Sequence, residues 1–173
     1  MHRRGDKLVP SCIYKIKMIS EKIIRSLVTV KITNTPCFIV DISVSSTNKI
    51  TVLIDSDEAL SVKDCVSISR HIEGNLDREK EDFELTVSSP GIDAPFKVLR
   101  QYAKSIGKQV QVLTKEGITI QGKLIFADDS GIEIEETKTL RSGHKKSKQT
   151  TIEKKKISFE NLKETKRIIS FNK

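Results

Sequence analysis

Cys65 and His71 could serve as nucleophile and base if their side chains met. They are six residues apart on what reads as one helix, a rotation of about 600°, about 120° short of two turns, so they point to different faces. Cys65 then reads as a small buried hydrophobe. His2, His71 and His144 are scattered, with no Cys or carboxylate at ligand spacing, so neither a metal site nor a cofactor is expected. Asp55, Asp57 and Glu58 cluster after a strand, where carboxylates could hold a divalent cation for hydrolysis; a polar turn before a helix is the commoner use of such a cluster. Ser88-Ser89-Pro90-Gly91 could offer hydroxyls and amides to a phosphate, although Pro90 removes one donor and no Walker lysine follows.

The remaining chemistry is cationic. The 173 residues carry a formal charge of +8, distributed unevenly. Residues 1–95 hold 13 basic and 14 acidic side chains, a net of −1, whereas residues 96–173 hold 18 and 9, a net of +9. The densest run is a basic loop expected over 138–156, with Lys138, Arg141, Lys145, Lys146, Lys148, Lys154, Lys155 and Lys156 against Glu153 alone. In a module that is basic overall, such a run reads as an electrostatic footprint for phosphates. Lys63 and Arg70, on the exposed side of a helix, are further candidates. Six Phe, two Tyr and no Trp leave few stacking platforms, so binding would rest on phosphates and shape.

No apolar run approaches the roughly 18 residues of a transmembrane helix. The basic first residues lack an apolar stretch behind them, which predicts no secretory signal. Cys12, Cys37 and Cys65 are odd in number and widely spaced, excluding a disulfide framework and a CxxC zinc site and fitting a reducing cytoplasm.

The elements that must position these groups follow from periodicity. Residues 1–10 are expected to be a disordered extension. Ile13, Ile16, Ile23, Ile24 and Leu27 predict an amphipathic helix over 11–26. Phe38, Val40, Ile42 and Val44 alternate with polar positions, Ser45-Ser46-Thr47-Asn48 reads as a turn, and Ile50, Val52 and Ile54 resume the alternation: a β-hairpin. Ser61 and Asp64 form a capping-box pattern opening a second helix, with Cys65, Ile68, Ile72 and Leu76 as its buried stripe. Phe83, Leu85 and Val87 make a third strand. The result is an αββαβ domain of α+β class over 11–92. Ser88, Ser89, Pro90, Gly91, Asp93 and Pro95 break both periodicities and read chiefly as a stiff interdomain linker. Beyond a helical stretch over 96–106, short strands with turns about every ten residues predict a small antiparallel β-barrel over 93–173, its last strand near Ile168, Ile169 and Phe171.

Asp64-Cys65, Ser69-Arg70, Leu76-Asp77 and above all the run from Phe83 through Ser88-Ser89-Pro90-Gly91-Ile92-Asp93, continuing to Pro95-Phe96-Lys97 and Gly107-Lys108-Gln109-Val110, resemble the bacterial ribosome maturation factor RimP family over roughly residues 37–135. The resemblance implies an αββαβ domain followed by an SH3-like (Sm-like) barrel. It also implies a non-catalytic assembly factor that binds the immature small (30S) ribosomal subunit and promotes its late maturation. Its partners would be 16S ribosomal RNA and, through the barrel, a ribosomal protein near the decoding centre. The family usually carries Asp-Arg-Pro after the Ser-Ser-Pro-Gly turn, and here Ala94 stands in the Arg position.

On that reading a monomer is expected. Lys63, Arg70, Lys145, Lys146, Lys148, Lys154, Lys155 and Lys156 would touch RNA, while Asp128 and Asp129 would meet a basic ribosomal protein. Two other classes compete: an Sm-like RNA-binding regulator of free transcripts, which would need a ring and base pockets, and a metal-dependent hydrolase built on Asp55 to Glu58.

Overall fold

The computed structural model describes residues 19–141 and 148–169. The first helix, α1 (Glu21–Ile32), lies further along the chain than the periodicity predicted. Ser20 sits in extended backbone and its hydroxyl accepts from the Ile23 amide, which starts the helix there, and Ile24 and Val28 are its buried residues. The part of the expected helix over 11–18 and the expected extension over 1–10 lie outside the described residues.

Strands β1 (Cys37–Val44) and β2 (Lys49–Ser56) form the expected antiparallel hairpin, with Asn48 in the left-handed region at φ 56° closing the turn. Helix α2 (Val62–Asn75) opens on a complete capping box: the Asp64 amide donates to Ser61 Oγ, and the Ser61 amide donates to the Asp64 carboxylate at 2.9 Å. It carries the chain back so that β3 (Glu84–Ser88) pairs parallel to β2, giving a sheet in the order β1-β2-β3. Both helices cover one face of this sheet. Ile24, Val28, Ile42, Ile50, Val52, Ile54, Ile68 and Ile72 interlock there, while Cys65 and Leu76 are half-buried at the margin of the α2 stripe.

One strand departs from simple alternation. The β1–β2 register slips between Ile39 and Asp41, leaving Val40 as a bulge. An extra residue reverses which side chains face the core. Cys37 and Ile39 precede the slip on the core side, Ile42 and Val44 follow it, and neither Phe38 nor Val40 joins the cluster beneath the helices. Phe38 instead lies under the guanidinium of Arg100, 4.7 Å from its ring centre.

After the Pro-containing segment comes the short helix α3 (Leu99–Lys104), and then β4 (Gln109–Thr114), β5 (Thr119–Ala127), β6 (Gly131–Arg141), β7 (Lys148–Ser158) and β8 (Leu162–Arg167). They form a five-stranded antiparallel sheet in the order β7-β6-β5-β4-β8, and no ladder joins β7 to β8 among the described residues. Tyr102, Val110, Val112, Leu124, Ile132 and Ile134 make its core, which shares no residue with the first. Strand spacing is tight at two glycines: a Cβ on Gly131 would lie 2.3 Å from the Ile157 carbonyl oxygen, and one on Gly122 2.5 Å from that of Glu135.

Two expectations are corrected here. The last strand ends at Arg167, before Ile168 and Ile169, with Thr165 as its buried residue opposite Val112, and Phe171 lies outside the described residues. The basic stretch expected as a loop is largely strand: Arg141 pairs with Lys148 and the ladder runs on to Gly131 and Ser158. Thr137, Thr139, Thr150, Thr151 and Ile152, all β-branched, favour an extended pleated backbone over a loop.

Candidate nucleic-acid interface

The capping box fixes the start of α2, and helical geometry then places Lys63, Ser67 and Arg70 at steps of four and three on its exposed side. Lys31, in the last turn of the neighbouring α1, joins them. Together with Val62, Val66 and His71 they line an open groove of about 600 Å³. Val62 is 80% exposed and Val66 42%, so the floor is apolar and the rim cationic. Among the described residues Lys31, Lys63 and Arg70 form no ion pair, and the Nε2 atom of His71 is buried without a hydrogen-bond partner. A groove with free cations around a floor that makes no charge of its own suits an anionic polymer.

Lys31 is absent from the sequence candidates. The helix expected to end near residue 26 would have left it in a loop, whereas α1 runs on to Ile32, with Thr33 as its C-cap, and so carries Lys31 in its last turn.

The second cationic region is less free than its sequence suggests. Strand β6 sets Glu133 opposite Lys156 and Glu135 opposite Lys154, and Lys155 Nζ lies 2.7 Å from Glu136 Oε2. The neutralising carboxylates come from about twenty residues upstream, which is why a linear count against Glu153 missed them. Lys148 opens β7, and Lys145 and Lys146 lie outside the described residues.

At the β5–β6 turn, Asp128 Oδ1 accepts from the Ser130 hydroxyl at 2.6 Å, the Ser130 amide at 2.8 Å and the Gly131 amide at 3.1 Å. The Ser130 hydroxyl, then its amide, holds this carboxyl below the usual 3.8. Asp128 is therefore occupied in forming the turn, while Asp129 projects into solvent.

The carboxylates that could have held a metal are taken by cations. Asp55 Oδ1 accepts from Lys104 Nζ at 2.6 Å, and Asp57 is gripped through both oxygens by the Arg100 fork, whose hydrogen bond holds the Asp57 carboxyl below its ordinary value. Asp41 accepts from Lys97 Nζ at 2.5 Å. These pairs join residues 43 to 56 positions apart. Among the described residues no group of three or more His, Cys, Asp or Glu is placed to hold a metal. Burial, and then the neighbouring Asp64 carboxylate, pushes the Cys65 thiol above its ordinary 9.0, the wrong direction for a nucleophile.

The linker residues fall between the two sheets. Ser88 ends β3, the Ala94 amide donates to the Gly91 carbonyl in a turn, and the Phe96 amide donates to the Thr165 carbonyl of β8 at 2.9 Å. Ser89, Pro90 and Gly91 line a cavity of about 390 Å³ with Asp55, Lys104 and Arg167.

Comparison with known proteins shows what the chain is similar to. A family model described as the RimP N-terminal domain matches residues 27–93, from the second half of α1 to the linker. The ribosome maturation factor RimP of Flavobacterium psychrophilum is 36% identical over 134 residues, 78% of this chain and 86% of that protein. That of Christiangramia forsetii is 38% identical over 120 residues, 69% of this chain and 73% of its own length. That of Porphyromonas gingivalis is 32% identical over 149 residues, 86% and 97% respectively.

Proposed function

The chain belongs to the ribosome maturation factor RimP family, and on that footing we propose that it acts in ribosome maturation by binding the immature small (30S) subunit and promoting its late assembly without covalent chemistry. The observation that carries the RNA-binding part is the α1–α2 groove, whose Lys31, Lys63 and Arg70 have no carboxylate partner among the described residues. Phosphates of 16S ribosomal RNA would sit on this rim, with affinity set by counterion release and therefore falling steeply with salt. Lys145, Lys146, Lys148, Lys154, Lys155 and Lys156 would add flanking contacts, weakened where β6 glutamates share their charge.

Two domains, 11–92 and 93–173, joined by the Ser88–Pro95 linker, would work as one cytoplasmic monomer. The second would be an SH3-like barrel offering its strand edges and Asp129, with Asp128 shaping the turn, to a basic ribosomal protein near the decoding centre. Holding RNA and protein in one geometry during assembly and then leaving requires only binding surfaces of matched charge and shape.

Sucrose-gradient co-sedimentation of the tagged protein with small subunits from immature and mature pools tests this reading. Selective comigration with the immature pool, lost between 50 and 200 mM salt, is expected on counterion-release grounds. Indifference to both pools at low salt would overturn it.

A further inference from the structure

The contact between the two sheets is built from charge. Lys97 leads into α3, and Arg100 and Lys104 follow at steps of three and four residues, placing three cations along one side of a short segment. Facing them, on the side of the β1–β2 sheet away from the helices, are Asp41 and Asp55, with Asp57 just beyond β2; the alternation that buries Ile42 and Ile54 turns these carboxylates outward. Each cation meets one carboxylate, and the Arg100 fork takes both oxygens of Asp57, the geometry by which arginine also holds phosphate.

Three features separate this contact from a plain structural brace. The two cores share no residue; Phe38 and Val40, buried on the face away from the helices, belong to neither, and what lies over the Phe38 ring is the Arg100 guanidinium. Two of the three pairs are open to solvent, with Lys97 48% and Arg100 46% exposed, a setting in which ion pairs contribute little and yield to competing ions, while Lys104 and Asp55 are more enclosed at 29% and 18%. A route to one of them, Lys104, also exists. Lys104 lines the cavity beside Ser89, and Arg167, an exposed cation with no ion pair among the described residues, lines the same cavity. An incoming phosphate would meet Arg167 first and Lys104 next.

We propose that Lys97, Arg100 and Lys104 are a second RNA-backbone-binding strip, capped in the free protein by Asp41, Asp55 and Asp57 standing in for phosphates, and uncapped when RNA entering beside Arg167 displaces them. The chain's own carboxylates then shield the strip at low RNA concentration, and an RNA already seated on the α1–α2 groove reaches it at a higher effective concentration than a short RNA free in solution. This rests on the RNA-binding reading above for its ligand class, but it concerns different residues and fails separately.

The test is fluorescence anisotropy of the full chain with a labelled 20-nucleotide RNA stem-loop from 50 to 200 mM salt. Asp41→Asn with Asp55→Asn and Asp57→Asn is expected to tighten binding roughly tenfold or more and to steepen the salt slope by about 2 to 3, the value for three added phosphate contacts. Asp57→Asn alone, which leaves the other two pairs intact, gives a smaller gain in the same direction. Adding Lys97→Gln, Arg100→Gln and Lys104→Gln to the triple variant abolishes the gain. Glu79→Gln with Glu116→Gln and Glu160→Gln, an equal charge change elsewhere on the surface, gives no comparable gain. A triple Asp variant that binds no tighter than this control, or a gain that survives loss of the three cations, overturns the proposal. If Lys63→Gln with Arg70→Gln weakens binding while the Asp variant gains nothing, the strip falls and the groove stands; the converse pattern removes the groove and leaves the strip.

Discussion

Replacing Lys31, Lys63 and Arg70 together by Gln removes the three unpaired cations on the rim of the α1–α2 groove while sparing its apolar floor. All three side chains are exposed and none forms an ion pair among the described residues, so the substitution leaves no buried charge unsatisfied and the fold should persist. Each phosphate contact contributes about 0.7 to 0.9 to the slope of log affinity against log salt, so three contacts amount to about 2 to 2.7. Between 50 and 200 mM salt the natural protein should then lose about 20- to 40-fold more affinity than the variant. Anisotropy or co-sedimentation with immature small subunits reads this directly as two lines of different slope. Gln at Lys154, Lys155 and Lys156 should flatten the slope less, because Lys155 is paired with Glu136 and its neighbours face Glu135 and Glu133. Parallel lines for the natural protein and the groove variant would refute the reasoning, since affinity would then not depend on these cations.

Other consequences concern the scaffold. Ile72→Ala empties a fully buried position between α2 and the first sheet and should cost about 2 to 5 kcal/mol, seen as a fall in the urea midpoint. Gly131→Ala drives a methyl to within 2.3 Å of the Ile157 carbonyl and should destabilise the second sheet by roughly 1 to 3 kcal/mol as the β6–β7 ladder yields; an unchanged melting temperature would mean that the strands separate without cost. The Asp64 and Asp128 carboxyls are held below 3.8, so the stability they supply is complete above that pH and disappears as pH falls through their lowered values. Asp64→Asn and Asp128→Asn should therefore lower the urea midpoint at pH 7 and converge on the natural protein as the pH falls below those lowered values.

The first unit was largely legible because its signals are local. Ser61 and Asp64 lie within one turn, the stripe of Ile68 and Ile72 repeats at helical spacing, and Ser45 to Asn48 is turn chemistry between alternating strands. What escaped depends on contacts distant in sequence. The bulge at Val40 sends Phe38 to the Arg100 side, and nothing in the run from Phe38 to Val44 announces it. The polar turn before α2 was legible in Asp55, Asp57 and Glu58, but the cations that pair with Asp41, Asp55 and Asp57 lie 43 to 56 residues away and were not. In the basic stretch it is the β-branched Thr and Ile residues, not the charges, that set the described part as paired strands. Of the groove, Lys63 and Arg70 could be placed from the capping box alone, whereas Lys31 needed the true end of α1.

If RNA docks in the α1–α2 groove, a photocrosslinker at Ser67, between Lys63 and Arg70 along α2, will meet it there. Irradiated with immature small subunits at low salt, the protein should become attached to small-subunit RNA, with the adduct fading as salt rises. Attachment only to ribosomal protein, or none at all while the chain still comigrates with the subunit, would contradict the account.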